Sequence, residues 1–231
     1  GVAAMLRVIQ SEAPAAQLYS LETSRLSTAP AAQHACPQGI DAFGAEATDG
    51  YCLVPRLGSH NTNQEDRGKV LRGRVLVTGG LGDLGLLVAA WLGQQPGLQV
   101  HLTGRGAYFA APLALLLPQG CVTATMADSS VCEDIEHLVH DMLAMLTGII
   151  HAGGVLRDAV LANQTAAGLR AVVAPKVQGM AAIQAATGAL PLAKFTVFSS
   201  IAAMLGSSGQ ANYAAANAML DAESTARQER G

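Results

Sequence analysis

The sequence is poor in charge: only 13% of its 231 residues are Asp, Glu, Lys or Arg, and the formal net charge is -3. Its 14 Lys and Arg residues are scattered and form no basic stripe able to release counterions from a phosphate backbone, which argues against a nucleic-acid partner. Long apolar runs are also missing. Half of the residues are hydrophobic, yet no run nears the roughly 18 apolar residues of a membrane-spanning helix, so a globular protein without a membrane partner is expected. The four cysteines, Cys36, Cys52, Cys121 and Cys132, show neither C-x-x-C metal spacing nor the density of a secreted disulfide scaffold. They fit a reducing compartment, read as cytoplasmic with a plastid as the alternative. No charged segment precedes an apolar core at the start, so no signal peptide is visible. The chain opens without Met and reads as a piece of something longer. His137-x-x-His140, with Glu133 and Asp134 nearby, lacks a matching third soft ligand and is read as a solvated helical face, so no metal is expected.

What is present divides the chain in two. The length allows one main domain and a small second unit. Ala4 to Ile9 reads as an amphipathic segment, the Ala-, Pro- and Gly-rich stretch from 27 to 50 as irregular, and Tyr51 to Val54 as a short apolar run ending at Pro55. Residues 58–72, rich in polar side chains over most of their length, read as a solvated linker. From Gly73 onward, apolar runs of strand length (Val75 to Thr78, Leu98 to Thr103, Gly148 to Ala152, Phe195 to Phe198) alternate with longer Ala- and Leu-rich segments. Such runs lack strict polar alternation and so suit strands buried on both faces. The expected fold is α/β: a Rossmann-like, doubly wound parallel sheet covered by helices.

The first of these strands runs into Gly79-Gly80-Leu81-Gly82-Asp83-Leu84-Gly85 and then an apolar helix, so that Gly80, Gly82 and Gly85 satisfy G-x-G-x-x-G in a strand-to-helix context. Glycines there permit a tight turn and bring backbone N–H groups and a helix N-terminus to a pyrophosphate. A plain glycine-rich turn is the alternative. About 20 residues on, where NAD enzymes place an acid, the sequence has His101-Leu102-Thr103-Gly104-Arg105. An arginine without a carboxylate favours the 2'-phosphate of NADPH; an ordinary surface cation is the other reading of Arg105.

Near the end of the chain, Phe198-Ser199-Ser200 precedes Gly209-Gln210-Ala211-Asn212-Tyr213, and Asn217 falls one helical turn beyond Tyr213. Reducing a ketone needs a hydride donor, a proton donor and hydrogen bonds to the developing oxyanion. A tyrosine can give the proton if a cation lowers the ordinary phenol pKa of about 10, and Lys176 is the candidate cation. Together, Thr78 to Gly85, His151-Ala152-Gly153-Gly154-Val155-Leu156-Arg157-Asp158, Pro175 to Gly179 and Gly209 to Asp221 resemble the ketoreductase domain of modular type I polyketide synthases, in the short-chain dehydrogenase/reductase superfamily. Lys176 lies 37 residues before Tyr213, Ser200 lies 13 before it, and Asn217 four after it. This order has the lysine and asparagine exchanged relative to most of the superfamily, as in polyketide and animal fatty acid synthase ketoreductases.

The resemblance implies that Tyr213 donates the proton, Ser200 holds the ketone, Lys176 lowers the tyrosine pKa and Asn217 supports the proton relay. It implies NADPH bound by Thr78, Gly80, Leu81, Gly82, Leu84, Gly85, Arg105, Ala152 and Gly153, with His151 as an end-of-strand residue. Substrate and stereocontrol would fall to Asp158, Leu205 and Gln210. Asp158 keeps the last acid of the Leu-Asp-Asp signature of B-type enzymes, Arg157 breaks that signature, and Leu205 stands where A-type enzymes carry Trp. The implied substrate is a β-ketoacyl thioester on the phosphopantetheine arm of an acyl carrier protein, with neighbouring synthase domains as partners. The implied domains are 1–57, the tail of a degenerate Rossmann structural subdomain; 58–72, a linker; and 73–231, the catalytic unit, with the family's remaining strands and lid helix expected beyond Gly231 and the fragment alone expected to be marginally stable or inactive. Thr125 stands near the family's adenine-contacting Asp, which puts adenine affinity in doubt. A non-catalytic structural relative and a free-standing reductase of small ketones are the rival readings.

Overall fold

The computed structural model describes residues 2–13, 20–23, 43–48, 51–53, 71–106, 117–118 and 120–230. The linker expected at 58–72 lies outside these residues except at its last two positions. The first helix, α1 (Val2–Glu12), buries Ala4 and Val8, four positions apart on one face. Three short strands follow: β1 (Ser20–Thr23), β2 (Phe43–Thr48) and β3 (Tyr51–Leu53), in the order β1-β2-β3. The strand β2 corrects the expectation of an irregular stretch over 27–50. Its segment has no branched aliphatic run, and it is extended because its backbone pairs parallel with β1 and antiparallel with β3.

The main sheet has five parallel strands: β4 (Gly73–Thr78), β5 (Leu98–Gly104), β6 (Val122–Met126), β7 (Leu146–His151) and β8 (Lys194–Val197), in the order β6-β5-β4-β7-β8. The helices are α2 (Asp83–Leu92), α3 (Cys132–Met142), α4 (Ala166–Val173), α5 (Gly179–Thr187), α6 (Ala202–Leu205) and α7 (Ala211–Arg230). Val75 and Val77 of β4 pack with Leu86, Ala89 and Leu92 of α2. Leu76 points the other way, into Ile135, Leu138 and Val139 of α3 and Ile183 of α5. Apolar side chains on both faces are why β4 reads as an unbroken hydrophobic run. The fold is α/β and Rossmann-like, as expected.

The topology places the site. The chain moves outward from β4 to β5 and β6, then returns to the other side of β4 as β7, so the strand order reverses between β4 and β7. In open α/β sheets the crevice at the carboxyl ends of such strands is where ligands bind. Tyr213 belongs to α7, which starts two residues earlier than the tyrosine, and Lys176 lies in a π-helical turn (Ala174–Gln178) between α4 and α5.

Candidate active site

At the carboxyl ends of β4, β5 and β7 a cleft of about 610 Å³ opens, walled by Gly79, Leu81, Gly82, Leu84, Gly85, Arg105 and the backbone of Ala152-Gly153-Gly154. Gly79 has a φ of +70°, and a Cβ there would lie 2.6 Å from Gly153. Only glycine lets the first turn and the end of β7 touch. Gly85 has the same role one turn into α2, where a Cβ would lie 2.5 Å from the Gly79 carbonyl oxygen. Gly82 caps α2 without a side-chain oxygen, so the first-turn N–H groups are left for whatever fills the cleft. Thr103, fully buried in the cleft wall, has a hydroxyl with no hydrogen-bond partner among the described residues. These features fit a phosphate-bearing dinucleotide. Two acids border the same cleft. Asp83 lies in the first turn of α2. For Asp128, burial pushes the carboxyl up, but hydrogen bonds from the Ser130 hydroxyl and N–H and the nearby Arg105 charge outweigh burial and hold it below its ordinary value.

Beyond the cleft, hydrogen bonds run from the glycine turn through His151 to Lys176, whose ammonium faces the tyrosine ring. His151, at the end of β7 and 1% exposed, faces the Thr78 hydroxyl 2.6 Å from Nδ1 and the Lys176 carbonyl 3.0 Å from Nε2. A carbonyl can only accept, so Nε2 carries the proton and Thr78 donates to Nδ1. Burial lowers the His151 pKa to about 4, and the ring is neutral at pH 7. Lys176, 3% exposed, donates to the Phe198 carbonyl at 3.0 Å and places Nζ 5.3 Å from the Tyr213 ring centre. Burial lowers its pKa to about 8, against the opposing pull of Asp221. Asn217 donates through Nδ2 to the Tyr213 carbonyl at 2.8 Å, and its buried Oδ1 has no partner among the described residues.

The KR domain family model matches residues 73–231. The chain belongs to that family. It is a ketoreductase domain of the modular polyketide synthase kind, within the short-chain dehydrogenase/reductase superfamily. A phenolphthiocerol/phthiocerol polyketide synthase of Mycobacterium tuberculosis is 37% identical over 156 residues, 64% of this chain and 7% of that protein. Polyketide synthase PksN of Bacillus subtilis is 39% identical over 162 residues, 65% of this chain and 3% of its own length. The chain thus spans a small part of these relatives. Among solved structures, the ketoreductase from the first module of phoslactomycin biosynthesis in Streptomyces superposes with a TM-score of 0.76 at 27% identity, covering all of this chain and 55% of that one. An A-type ketoreductase from a modular polyketide synthase gives 0.67 at 35% identity, covering 74% and 38%.

In this KR domain Lys176, Tyr213 and Asn217 lie together. Ser200 follows the Phe198 carbonyl that anchors Lys176, and its Oγ accepts from the Ala202 N–H at 3.2 Å, leaving its own proton free to donate. Of the residues expected to hold the cofactor, Leu81, Gly82, Leu84, Gly85, Arg105, Ala152 and Gly153 line the cleft, whereas Thr78 and Gly80 do not. The Thr78 side chain is spent on His151, and Gly80 is buried, its N–H donating to the Thr103 carbonyl at 2.9 Å and its Cβ position 2.7 Å from the Val77 carbonyl oxygen. Both shape the turn from behind. Asp158 accepts from Gln210 Nε2 at 3.1 Å, and Leu205 is exposed on α6. Thr125 is exposed on the edge strand β6 away from the cleft, and the acid at the cleft wall is Asp128, three residues further along. Gly79, Asp83 and Thr103 join the cleft wall without having been expected there, although the first two stand inside the glycine motif itself. His137 and His140 are exposed on α3, as a solvated face requires.

Proposed function

We propose that this KR domain reduces the ketone of a β-ketoacyl thioester, carried on the phosphopantetheine arm of an acyl carrier protein, to the β-hydroxyacyl thioester with NADPH. The proposal places it beside other domains of a polyketide or related fatty acid synthase, in the cytoplasm. Among the described residues no helix is long and apolar enough to cross a membrane. Residues 73–231 would form the reductase, 58–72 the linker, and 1–57 the remnant of the structural subdomain.

The carrying observation is the Lys176 ammonium facing the Tyr213 ring beside the glycine-turn cleft. When bound, reduced nicotinamide supplies the hydride. The chain does the rest. Ser200 and Tyr213 hydrogen-bond the ketone oxygen and orient it, and Tyr213 transfers its phenolic proton to that oxygen as charge builds there. Lys176, held by Phe198, stabilises the negative charge left on the tyrosine oxygen. Arg105 on the cleft wall would pair with the 2'-phosphate that separates NADPH from NADH.

The test is NADPH oxidation with a β-ketoacyl N-acetylcysteamine thioester. Tyr213→Phe should cut turnover by roughly 10²- to 10⁴-fold while leaving NADPH binding intact. A chain that binds no NADPH would support the structural, non-catalytic reading, which Asp83 in the phosphate turn favours. For stereochemistry, Asp158 and Leu205 support a B-type, 3R product. The identity to an A-type structure supports the opposite hand, and chiral analysis of the alcohol decides between them.

A further inference from the structure

Two segments meet along a seam at the substrate side of the site. Asn212 Nδ2 donates to the Arg157 carbonyl at 2.8 Å, Gln210 Nε2 to Asp158 at 3.1 Å, and the Ala159 N–H to the Gly209 carbonyl at 2.8 Å. The seam therefore fixes Asp158 against the residues that lead into the Tyr213 helix. At its end, two backbone N–H groups converge on a single carboxylate. Glu12, the last residue of α1, accepts from Leu161 through Oε2 and from Gly209 through Oε1, each at 2.6 Å, across 149 and 197 residues of sequence. Leu161 opens a 3₁₀ turn, so its N–H is a donor the turn itself cannot satisfy. Gly209 has a φ of +78°. Short hydrogen bonds from N–H groups to a carboxylate are about twice as strong as neutral ones.

The carboxylate is held before it is used. Ala4 and Val8 of α1 are fully buried against Ala211 and Ala214 of α7. Arg7 donates to the Ala203 carbonyl of α6 at 2.9 Å, and a Cβ on Gly206 would meet the Arg7 backbone at 3.1 Å. One helix from far upstream of β4 thus grips α6, α7 and both sides of the seam, and Glu12 lines no wall of the dinucleotide cleft.

We propose that Glu12 is a positioning residue for the substrate side of the site, tying the Asp158 segment to the Tyr213 helix and so setting the approach of the ketone. The proposal rests on the reductase reading above. Glu12→Ala removes both acceptors, and Glu12→Gln leaves one carbonyl oxygen for two donors. The full 231-residue chain and both variants are compared for NADPH binding, for kcat and KM with a β-ketoacyl N-acetylcysteamine thioester, for the enantiomer ratio of the alcohol, and for amide hydrogen exchange without substrate. In Glu12→Ala, KM should rise roughly tenfold or more with a degraded enantiomer ratio, and Glu12→Gln should fall between it and the parent. NADPH affinity should stay within about twofold of the parent, since Glu12 lines no wall of the cleft. Exchange should quicken at 157–163 and 206–212 and not at 79–85. Unchanged KM and enantiomer ratio overturn the proposal, as does a loss of NADPH binding in step with a general rise in exchange, which marks a merely structural role. If the parent chain has no turnover, as expected of the fragment alone, exchange decides: equal exchange at 157–163 and 206–212 in parent and variant overturns the tie, and a selective rise upholds it.

Discussion

Lys176 Nζ stands 5.3 Å from the centre of the Tyr213 ring, and the same ammonium donates to the Phe198 carbonyl at 3.0 Å. Three separate elements, the π-helical turn, the segment after β8 and α7, converge at this one charge. The π turn adds a residue to the helical repeat between α4 and α5, and such turns re-aim side chains at functional sites. Here the side chain at the π turn is a lysine whose burial lowers its pKa and whose ammonium faces a neighbouring phenol ring.

That cost gives opposite signs to activity and stability at alkaline pH. The proposed reduction uses the ammonium, so kcat/KM should fall as pH rises through about 8, the lowered Lys176 pKa. Between about 8 and the ordinary 10.5 the unfolded chain binds the proton that the folded chain has lost, so this lysine makes the fold more stable as pH rises. Paired pH profiles of turnover and urea unfolding check both. Lys176→Met should lose roughly 10²-fold or more in kcat and remove its share of both slopes.

At acid pH the relevant group is His151. Its folded pKa of about 4 lies below the ordinary 6.5, so the unfolded chain binds more protons between those values, and stability is lost as pH falls through that window. The loss from pH 7 to pH 5 should be ~2 kcal/mol from this group. Urea titrations of the parent and His151→Gln test it: the variant should be less stable at pH 7 and show a shallower acid slope. An equal slope in both would exclude His151 as the source.

The motif glycines should separate by mechanism. Gly85→Ala forces a methyl against the Gly79 carbonyl oxygen and the Gly80 Cα, both 2.5 Å from its Cβ position, and should destabilise by ~1–3 kcal/mol. Gly82 has a φ of -84° and a Cβ position 3.5 Å from its nearest neighbour, so Gly82→Ala should fold as well as the parent. Thermal unfolding of the two variants reads the contrast directly, and a larger loss in Gly82→Ala would contradict it.

Charge at the cleft makes a further pair. Asp83, exposed in the first turn of α2, stabilises the helix N-terminus but repels a pyrophosphate placed there. Asp83→Asn should tighten NADPH binding about threefold at low salt, with less effect at high salt. Arg105→Ala should weaken NADPH by roughly tenfold and leave NADH nearly unchanged. Fluorescence titration with both nucleotides at two ionic strengths measures all of these.

Much of this was legible in one dimension. The alternation of buried strands with helices, the glycine turn and the one-turn step from Tyr213 to Asn217 are local patterns, fixed by backbone sterics and helical periodicity, whereas Lys176 and Ser200 were legible only through the resemblance to the family. Two kinds of information were not local. Strand β2 exists through pairing with partners on either side of it, and Asp128 replaced Thr125 at the cleft wall because the end of β6 fixes which side chain turns inward. Thr78 and Gly80 belong to the motif but face away from the cleft, since the same turn needs residues to build it as well as residues to line it.

The amino-acid order by itself determined the strand-and-helix alternation and the glycine turn, because each depends on neighbours within a turn or a strand, and its resemblance to the family singled out Lys176, Ser200, Tyr213 and Asn217 as candidates. Tertiary structure alone decided that Lys176 is buried and anchored on the Phe198 carbonyl, that His151 is a neutral link rather than a ligand, and that Glu12 closes a seam 149 and 197 residues away. Burial and hydrogen-bond partners depend on what the rest of the chain brings alongside, which no local pattern encodes.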